Sequence, residues 1–498
     1  MLTNAPQWIL TRDGIWSAVI MGTVMFLPKP GLAAQDAAQD QVAGPLPRVT
    51  VRDGKLMLPD GRRFFAIGVN YFRPGTGWAP QLWKQFDESA VERDFALLRE
   101  YGVRCVRIFL TFGSFFTKPD RLDEFGLDRL DRMLTIAERN GIYLHPTGPD
   151  HWEGVPDWAR GDRYSDERLL AAQERFWQLL VERYRGRTAI FAYDLLNEPA
   201  IPWDGAALRE RWKAYLRQRY GTREAAADAW GIAAEDLNWE APLPPDPTQN
   251  PPAQLLAYQH FREDVARQWV ARQAAAIRKA DPDALVTVGL IQWSVPVILP
   301  GIKTYSAFRP EQIARDLDFL EIHFYPLARG FLDYQRPEDI TANLIYLRSV
   351  VAACAAAKRP VVLAEFGWYG GGQLTINQGR HPPATESQQA DWCRSAIEGT
   401  RDLADGWLNW GVFDHPEAGD VSQLTGLFTA AGRPKEWAKV FQDLSRELAD
   451  KPSAALRMGE RAALLPVAGF GWDRAIVDPQ VGRQALEEAA RAANPASR

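Results

Sequence analysis

Two short apolar runs in this chain each end on a glutamate. The first is Ile190–Leu196, followed by Asn197-Glu198-Pro199; the second is Pro360–Ala364, followed by Glu365. Both runs have the length of a buried strand. Pro199 has no N–H to give to a sheet, so the first strand must stop there. A carboxylate delivered by a buried strand needs a use, because an unpaired charge out of water is costly. Two glutamates at the tips of inner strands are what hydrolysis of a sugar–sugar bond requires. Glu198 and Glu365 are therefore the candidate catalytic residues.

The rest of the chain must bring these two tips together. Strand-like apolar runs begin near Phe64, Val103, Ile142, Ala189, Leu285, Phe319, Val361 and Trp407. Helical patterns lie between them, at Glu88–Tyr101, Leu127–Asn140, Asp166–Arg185, Gln254–Ala280, Ala342–Lys358 and Ser387–Arg401, with Gly102 and Gly141 as stops. Eight strands alternating with helices predict an α/β fold of the (β/α)8 TIM-barrel kind, with the active site at the C-terminal strand ends. Those ends carry Asn70, Arg107, His145, Asn197-Glu198, Gln292, His323, Tyr325, Glu365 and Trp410. His323 and Tyr325 share one face by the two-residue strand period. Arg107 is placed to hold a carboxylate ionised.

The barrel domain is expected over 49–450. It opens with a β-hairpin, Val49–Arg63, with Asp53-Gly54 and Asp60-Gly61 as turn signals. One connection, a 203–252 insertion after the fourth strand, is far longer than usual. It has helical pieces at Leu208–Tyr220 and Glu224–Trp230 and a proline-rich end. Because it leaves the barrel directly after Glu198, it is expected to border and narrow the mouth of the site. A C-terminal extension, 451–498, carries one amphipathic piece, Val481–Ala493, and an aromatic spot at Phe470–Trp472, and should pack on the outside.

Tryptophan is the second signal. Trp78, Trp83, Trp152, Trp158, Trp203, Trp293, Trp368 and Trp410 fall in loops or strand ends of the predicted active face. An indole offers a flat apolar face and a polar N–H, which suits a sugar ring, so a saccharide-lined cleft is expected. Trp152, Trp203, Trp368 and Trp410, with His145 and His151, are the candidates for contact with substrate.

The totals exclude other classes. A net charge of −5 and the lack of a basic run argue against nucleic acid. His145, His151 and Glu153 lack an HExxH spacing, and no metal or cofactor is expected. Three cysteines make neither a disulfide framework nor a zinc knuckle; Cys105 reads as core, and a bridge between Cys354 and Cys393 is the one pairing to consider. Ile15–Leu27 has the length of a signal-peptide core, with Leu32-Ala33-Ala34 before a cleavage point. A signal peptide over 1–34, a polar linker over 35–48, and a secreted or periplasmic monomer with no membrane attachment after cleavage are expected.

With these motifs in place, the chain from Val49 to Ala449 resembles glycoside hydrolase family 5, the cellulase family, in the clan of (β/α)8-barrel retaining glycosidases. The family pattern is Asn-Glu-Pro on strand four and a glutamate on strand seven. It adds an arginine on strand two, a histidine on strand three, His-x-Tyr on strand six and a tryptophan on strand eight. The resemblance implies that Glu198 is the acid/base, Glu365 the nucleophile, and Asn197 the partner of the sugar 2-hydroxyl. Arg107, His323, Tyr325 and Trp410 take the remaining places. The third strand departs from the pattern, since neither His145 nor His151 stands in an Asp-Leu-His setting. The Tyr220–Gly231 segment is similar to barrel β-galactosidases of the same clan. The implied function is hydrolysis of a β-linked oligo- or polysaccharide of the β-glucan or β-mannan type by double displacement. The alternatives are an exo-acting β-galactosidase or β-mannosidase of the clan, or an inactive carbohydrate-binding barrel.

Overall fold

The computed structural model describes residues 45–76, 79–376, 381–450, 469 and 471–493. The expected signal peptide, most of the linker, Trp78 and much of the C-terminal extension, Phe470 included, lie outside the described residues.

The chain enters through a hairpin, β1 (Thr50–Arg52) and β2 (Lys55–Met57), paired antiparallel. Asp53 and Gly54 both have positive φ, 51° and 69°, which is the mirror-image turn that matches strand twist. Eight parallel strands then follow: β3 (Ala66–Asn70), β4 (Cys105–Thr111), β5 (Tyr143–Asp150), β6 (Tyr193–Asn197), β7 (Val286–Leu290), β8 (Leu320–Phe324), β9 (Val361–Phe366) and β10 (Gly406–Asn409). They close into one barrel in sequence order, with β10 pairing back onto β3. All eight predicted runs became barrel strands.

Helices cross between the strands where the apolar periodicity placed them. Asp87 caps Glu88–Glu100 by accepting from the Ala90 N–H, and Thr385 and Gln388 form a reciprocal capping box on Glu386–Glu398. The helix expected from Ala342 starts instead at Pro337, because proline is suited to a first helical position. Gly102 ends its helix at φ 77°, a conformation that a side chain would strain.

The lower end of the barrel is filled by rings. Phe64 packs on Tyr143 and Phe191 at centroid distances of 5.2 and 5.5 Å, and Phe191 packs on Phe319 at 5.3 Å. Val49 and Leu56 of the hairpin segment belong to the same cluster and close it from below. Cys105 lies in that core, and Cys354 and Cys393 are likewise buried and unbridged, so the possible pairing of the last two is not made.

The insertion folds against one of the barrel's outer helices. Its helices, Ala206–Tyr220 and Arg223–Trp230, lie against the long helix Pro252–Ala280. Trp212 packs on Tyr258 and Phe261 at 5.0 and 5.1 Å and stacks near Trp230. Leu208, Trp212 and Leu216 recur every fourth residue and are all buried, so this apolar stripe directs the insertion onto the helix. The C-terminal helices Trp472–Val477 and Pro479–Ala493 pack on Pro252–Ala280 and Pro337–Ala355. Gly482 lies so close to the Val297 carbonyl that a Cβ would meet it at 2.3 Å. Among the described residues no helix is long and apolar enough to cross a membrane.

Candidate active site

Arg107, on β4, is the hub of the upper barrel. Its guanidinium is fully buried, and such a charge is tolerable only with a full set of acceptors. Nη1 donates to Glu365 Oε1 at 2.8 Å and to Asn70 Oδ1 at 3.0 Å. Nη2 donates to Asp194 Oδ2 at 2.8 Å and to Asn197 Oδ1 at 2.9 Å, and Nε donates to Asp194 at 3.1 Å. One planar fork thus ties β3, β6 and β9 to β4. Gly289 on β7 makes this possible, since a Cβ there would stand 3.0 Å from both Arg107 Nη2 and Asp194 Oδ2. Its N–H donates to Asp194 Oδ1 at 2.7 Å.

Glu365, on β9, is 3% exposed. Besides Arg107 it accepts from the Tyr325 hydroxyl at 2.9 Å, and His323 Nδ1 lies 3.4 Å from Oε1. Gln292 fixes Tyr325 by accepting from its N–H at 2.7 Å and donating to its carbonyl. Glu198 follows β6 directly. Its φ is +46°, a strained value for a residue with a side chain, and its N–H is held by the Gly289 carbonyl at 2.8 Å. Its side chain is 28% exposed and meets His323 Nδ1 at 3.1 Å. Ligand-type atoms of Glu198, His323 and Glu365 all lie within 4.8 Å of one another.

Burial is the largest influence on each of these groups. It lifts Glu198 to about 7, with Asp150 adding to the rise and Arg107 opposing it. Glu365 is also raised by burial, while His323, Arg107 and the Tyr325 hydroxyl pull it back and Glu198 adds to the rise. Burial lowers His323, and the Glu365 charge opposes that fall. Tyr325 is raised well above the usual phenol value, by burial and by both glutamates, and stays a donor.

The two carboxyls sit in a cleft of about 370 Å³ lined by Trp152, Asn197, Tyr325, Phe331, Trp368 and Trp410, among others. Trp410 Nε1 donates to Ser422 Oγ at 2.8 Å, and its ring packs on Phe72 at 5.3 Å. Of the other tryptophans placed on this face, Trp83 is core, with Nε1 donating to the Phe109 carbonyl at 2.6 Å. Trp203 packs on Tyr258 at 5.1 Å, beside the insertion, and does not line the cleft. Trp293 packs on the main core, and Trp158 belongs to a neighbouring cavity.

Neither third-strand histidine reaches the carboxyl pair. His145 is fully buried beneath it, with Nδ1 on the Ala192 carbonyl at 2.9 Å and Nε2 on the Glu321 carboxylate. Its ring packs on Phe191 at 5.4 Å, the top of the aromatic floor. The strand period turns this position inward, one layer too low to touch a substrate. His151 is exposed on the loop after β5, paired to Asp150 at 2.7 Å and stacked on Trp152 at 4.7 Å.

Sequence reasoning missed Asp194 and Glu321. The signal was there: each is a lone acid inside an apolar run, and Glu321 shares strand parity with His323 and Tyr325. His145, Asp194 and Glu321 bring ligand-type atoms within 4.8 Å, as do Glu198, His323 and Glu365. In the first group both histidine nitrogens and Asp194 Oδ2 are engaged, and in the second Glu365 Oε1 carries Arg107, so a cation would have to displace existing partners.

Fold and site together define a (β/α)8 barrel with paired glutamates at the tips of its fourth and seventh strands, the second of them held by a buried arginine. The family model of Cellulase (glycosyl hydrolase family 5) matches residues 67–415, and the chain belongs to that family. It is 22% identical over 339 residues to mannan endo-1,4-beta-mannosidase F of Aspergillus clavatus, covering 63% of this chain and 64% of that one. It is 25% identical over 308 residues to beta-galactosidase BgaH of Haloferax lucentense, covering 56% and 42%. Among solved structures it shares the fold of an exo-beta-1,4-mannosidase from an Opitutaceae bacterium, with a TM-score of 0.56 and 20% identity over 81% of this chain and 63% of that one. The chain thus spans less than two thirds of the length of each of these relatives.

Proposed function

We propose that the protein is a retaining β-glycosidase that removes units from one end of short β-linked chains, with β-mannosides as its first substrate class. The observation that carries this is the carboxyl pair. An oxygen of Glu198 lies within 4.8 Å of one of Glu365, and so close an approach supports the narrow carboxyl spacing of retention over the roughly 6.5–9.5 Å of inverting pairs.

The chemistry follows from the two environments. Glu365 has the direct cation contact with Arg107 and the phenol of Tyr325, so it is the carboxyl that carries the charge. It attacks the anomeric carbon and forms a glycosyl ester. Glu198, titrating near 7, holds a proton for the leaving oxygen at neutral pH. Glu198 and Glu365 repel each other as anions, so esterification of Glu365 removes that repulsion and lets Glu198 ionise as it takes a proton from the attacking water. Asn197, oriented by Arg107, is the candidate for the sugar 2-hydroxyl.

Support for a short substrate comes from the cleft, whose walls are Trp152, Phe331, Trp368 and Trp410 from different loops around about 370 Å³. The likeness to an exo-beta-1,4-mannosidase and to mannan endo-1,4-beta-mannosidases supports mannose in the glycone position. The several beta-galactosidases among the relatives favour β-galactosides as the second reading. Nitrophenyl β-mannoside, β-galactoside and β-glucoside, followed by mannohexaose, would test this. Expected are single mannose units released with β configuration by proton NMR. An α product, or a rapid fall in mannan viscosity, would sink the reading. Export through Ile15–Leu27 belongs to the same proposal, and the mass of the mature N-terminus checks it.

A further inference from the structure

A second cavity, of about 350 Å³, lies on the loop that follows β5 and is nearly as large as the catalytic cleft. The two adjoin through a stacked pair: Trp152 lines the cleft, and His151, stacked on it at 4.7 Å, lines the second cavity. β5 neighbours β6, whose tip carries Glu198, so this cavity lies on the side of the proton donor and hence of the leaving group.

Its walls are built. Phe112 and Trp158 meet edge to face at 5.9 Å, and the indole N–H is held by the Thr117 carbonyl at 2.7 Å, which fixes the ring. Gln173, 4% exposed, donates to the carbonyls of Arg163 and Leu169 at 2.8 and 2.9 Å and anchors the wall from behind. Three cationic or potentially cationic groups face the space. Two are answered: His151 by Asp150 at 2.7 Å and Arg160 by Asp157 at 3.2 Å. The third, Arg163, lies over the Phe112 ring at 5.6 Å and donates once, to the Pro149 carbonyl at 2.8 Å. Among the described residues it has no carboxylate partner, although Asp162 adjoins it in the chain. Most of a planar five-donor fork is thus left open beside an aromatic wall.

The geometry points to a binding site for an acidic sugar, a uronate whose ring lies against Trp158 and Phe112 while its carboxylate takes the open fork of Arg163. A neutral hexose would fill the volume and leave the guanidinium unanswered; a carboxylate meets it with two parallel charge-assisted hydrogen bonds. The site adjoins the catalytic cleft through the His151–Trp152 pair. On the proposed glycosidase reading, on which this part rests, the substrate therefore carries a uronate on its leaving-group side.

Titration calorimetry on the full chain tests the site without turnover. The probes are methyl β-glucuronide, methyl β-glucoside, benzoate and inorganic phosphate. The glucuronide should bind at least tenfold more tightly than the glucoside. Arg163→Gln should abolish that ratio, and Arg163→Lys should keep only part of it. Loss of local structure would weaken both sugars together and leave the ratio intact, and the melting temperature reports folding. Equal affinity for the two sugars in the wild type, or a ratio that survives Arg163→Gln, overturns the assignment. So does benzoate or phosphate binding as tightly as the glucuronide, since the site would then read an aromatic acid or a bare anion. Glucuronide binding with no hydrolysis of any β-glycoside would leave this site standing and refute the glycosidase reading alone.

Discussion

The two ends of the barrel interior are built by the same strands and ask different things of them. At the lower end Phe64, Tyr143, Phe191 and Phe319 fill space, and each contact is made by whichever rings fit. At the upper end Arg107, Asp194, Glu365 and His323 fill space too, but every buried polar atom also needs a partner at a fixed angle. His145 sits on the border, its ring on the aromatic floor and its Nε2 on Glu321. The lower layer stabilises chiefly through buried area. The upper layer is held by one guanidinium, whose partners come from three other strands.

The largest effect should come from the proposed nucleophile. Glu365→Ala should lower kcat by about 10³–10⁵-fold on every substrate, and azide should restore turnover with inverted configuration. Glu198→Ala should keep a burst on a dinitrophenyl glycoside, whose leaving group needs no proton, and azide should then give retained product. The reverse pattern would exchange the two roles.

Next in size is Arg107. Arg107→Met leaves Asp194 and Glu365 buried without their cation, and a loss of about 3–5 kcal/mol in urea unfolding is expected together with loss of activity. Arg107→Lys keeps the charge but loses the fork, and kcat should still fall about 10²-fold. Full activity in the lysine variant would mean that charge alone is needed at the upper end.

The lower layer supplies the contrast. Phe319→Ala should cost about 3–5 kcal/mol through the cavity it leaves. The kcat of the molecules that remain folded should match the wild type. A change in kcat or in its pH profile would show that the two layers are coupled, most directly through His145, which packs on Phe319 at 6.2 Å.

The smallest effect concerns pH. The wild-type kcat/KM should decline as pH rises through about 7, where Glu198 loses its proton. Because this folded-state value lies above that of an unfolded glutamate, the proton stabilises the fold fully at low pH. That contribution fades between about 4.5 and 7. Glu198→Gln has no such charge to lose, so above pH 7 its melting temperature should exceed the wild type by about 1–3 °C, with little difference near pH 4. Equal melting temperatures at pH 8 would place the Glu198 titration elsewhere.

Much of this was legible in the chain. Hydrophobic period and glycine stops are local, so all eight strands and the main helices could be read from the residues themselves. The tips that carry Arg107, Glu198, Tyr325 and Glu365 were visible because a strand that ends in polar cargo has few other uses. The fate of the 203–252 insertion was not visible. Its Leu208–Trp212–Leu216 stripe shows that it must bury one face, yet nothing local says against what.

The sequence by itself determined which residues point inward, through the alternation of each strand. Only closure of the barrel decided which of those inward groups meet. Arg107 finds Asp194 across 87 residues and Glu365 across 258, and Gly289 makes room for the contact from a third strand. His145 obeys the same alternation, but its height in the barrel sets it on the aromatic floor and gives it to Glu321. Parity is a property of a few neighbouring residues, whereas height and partner depend on the register of all eight strands at once.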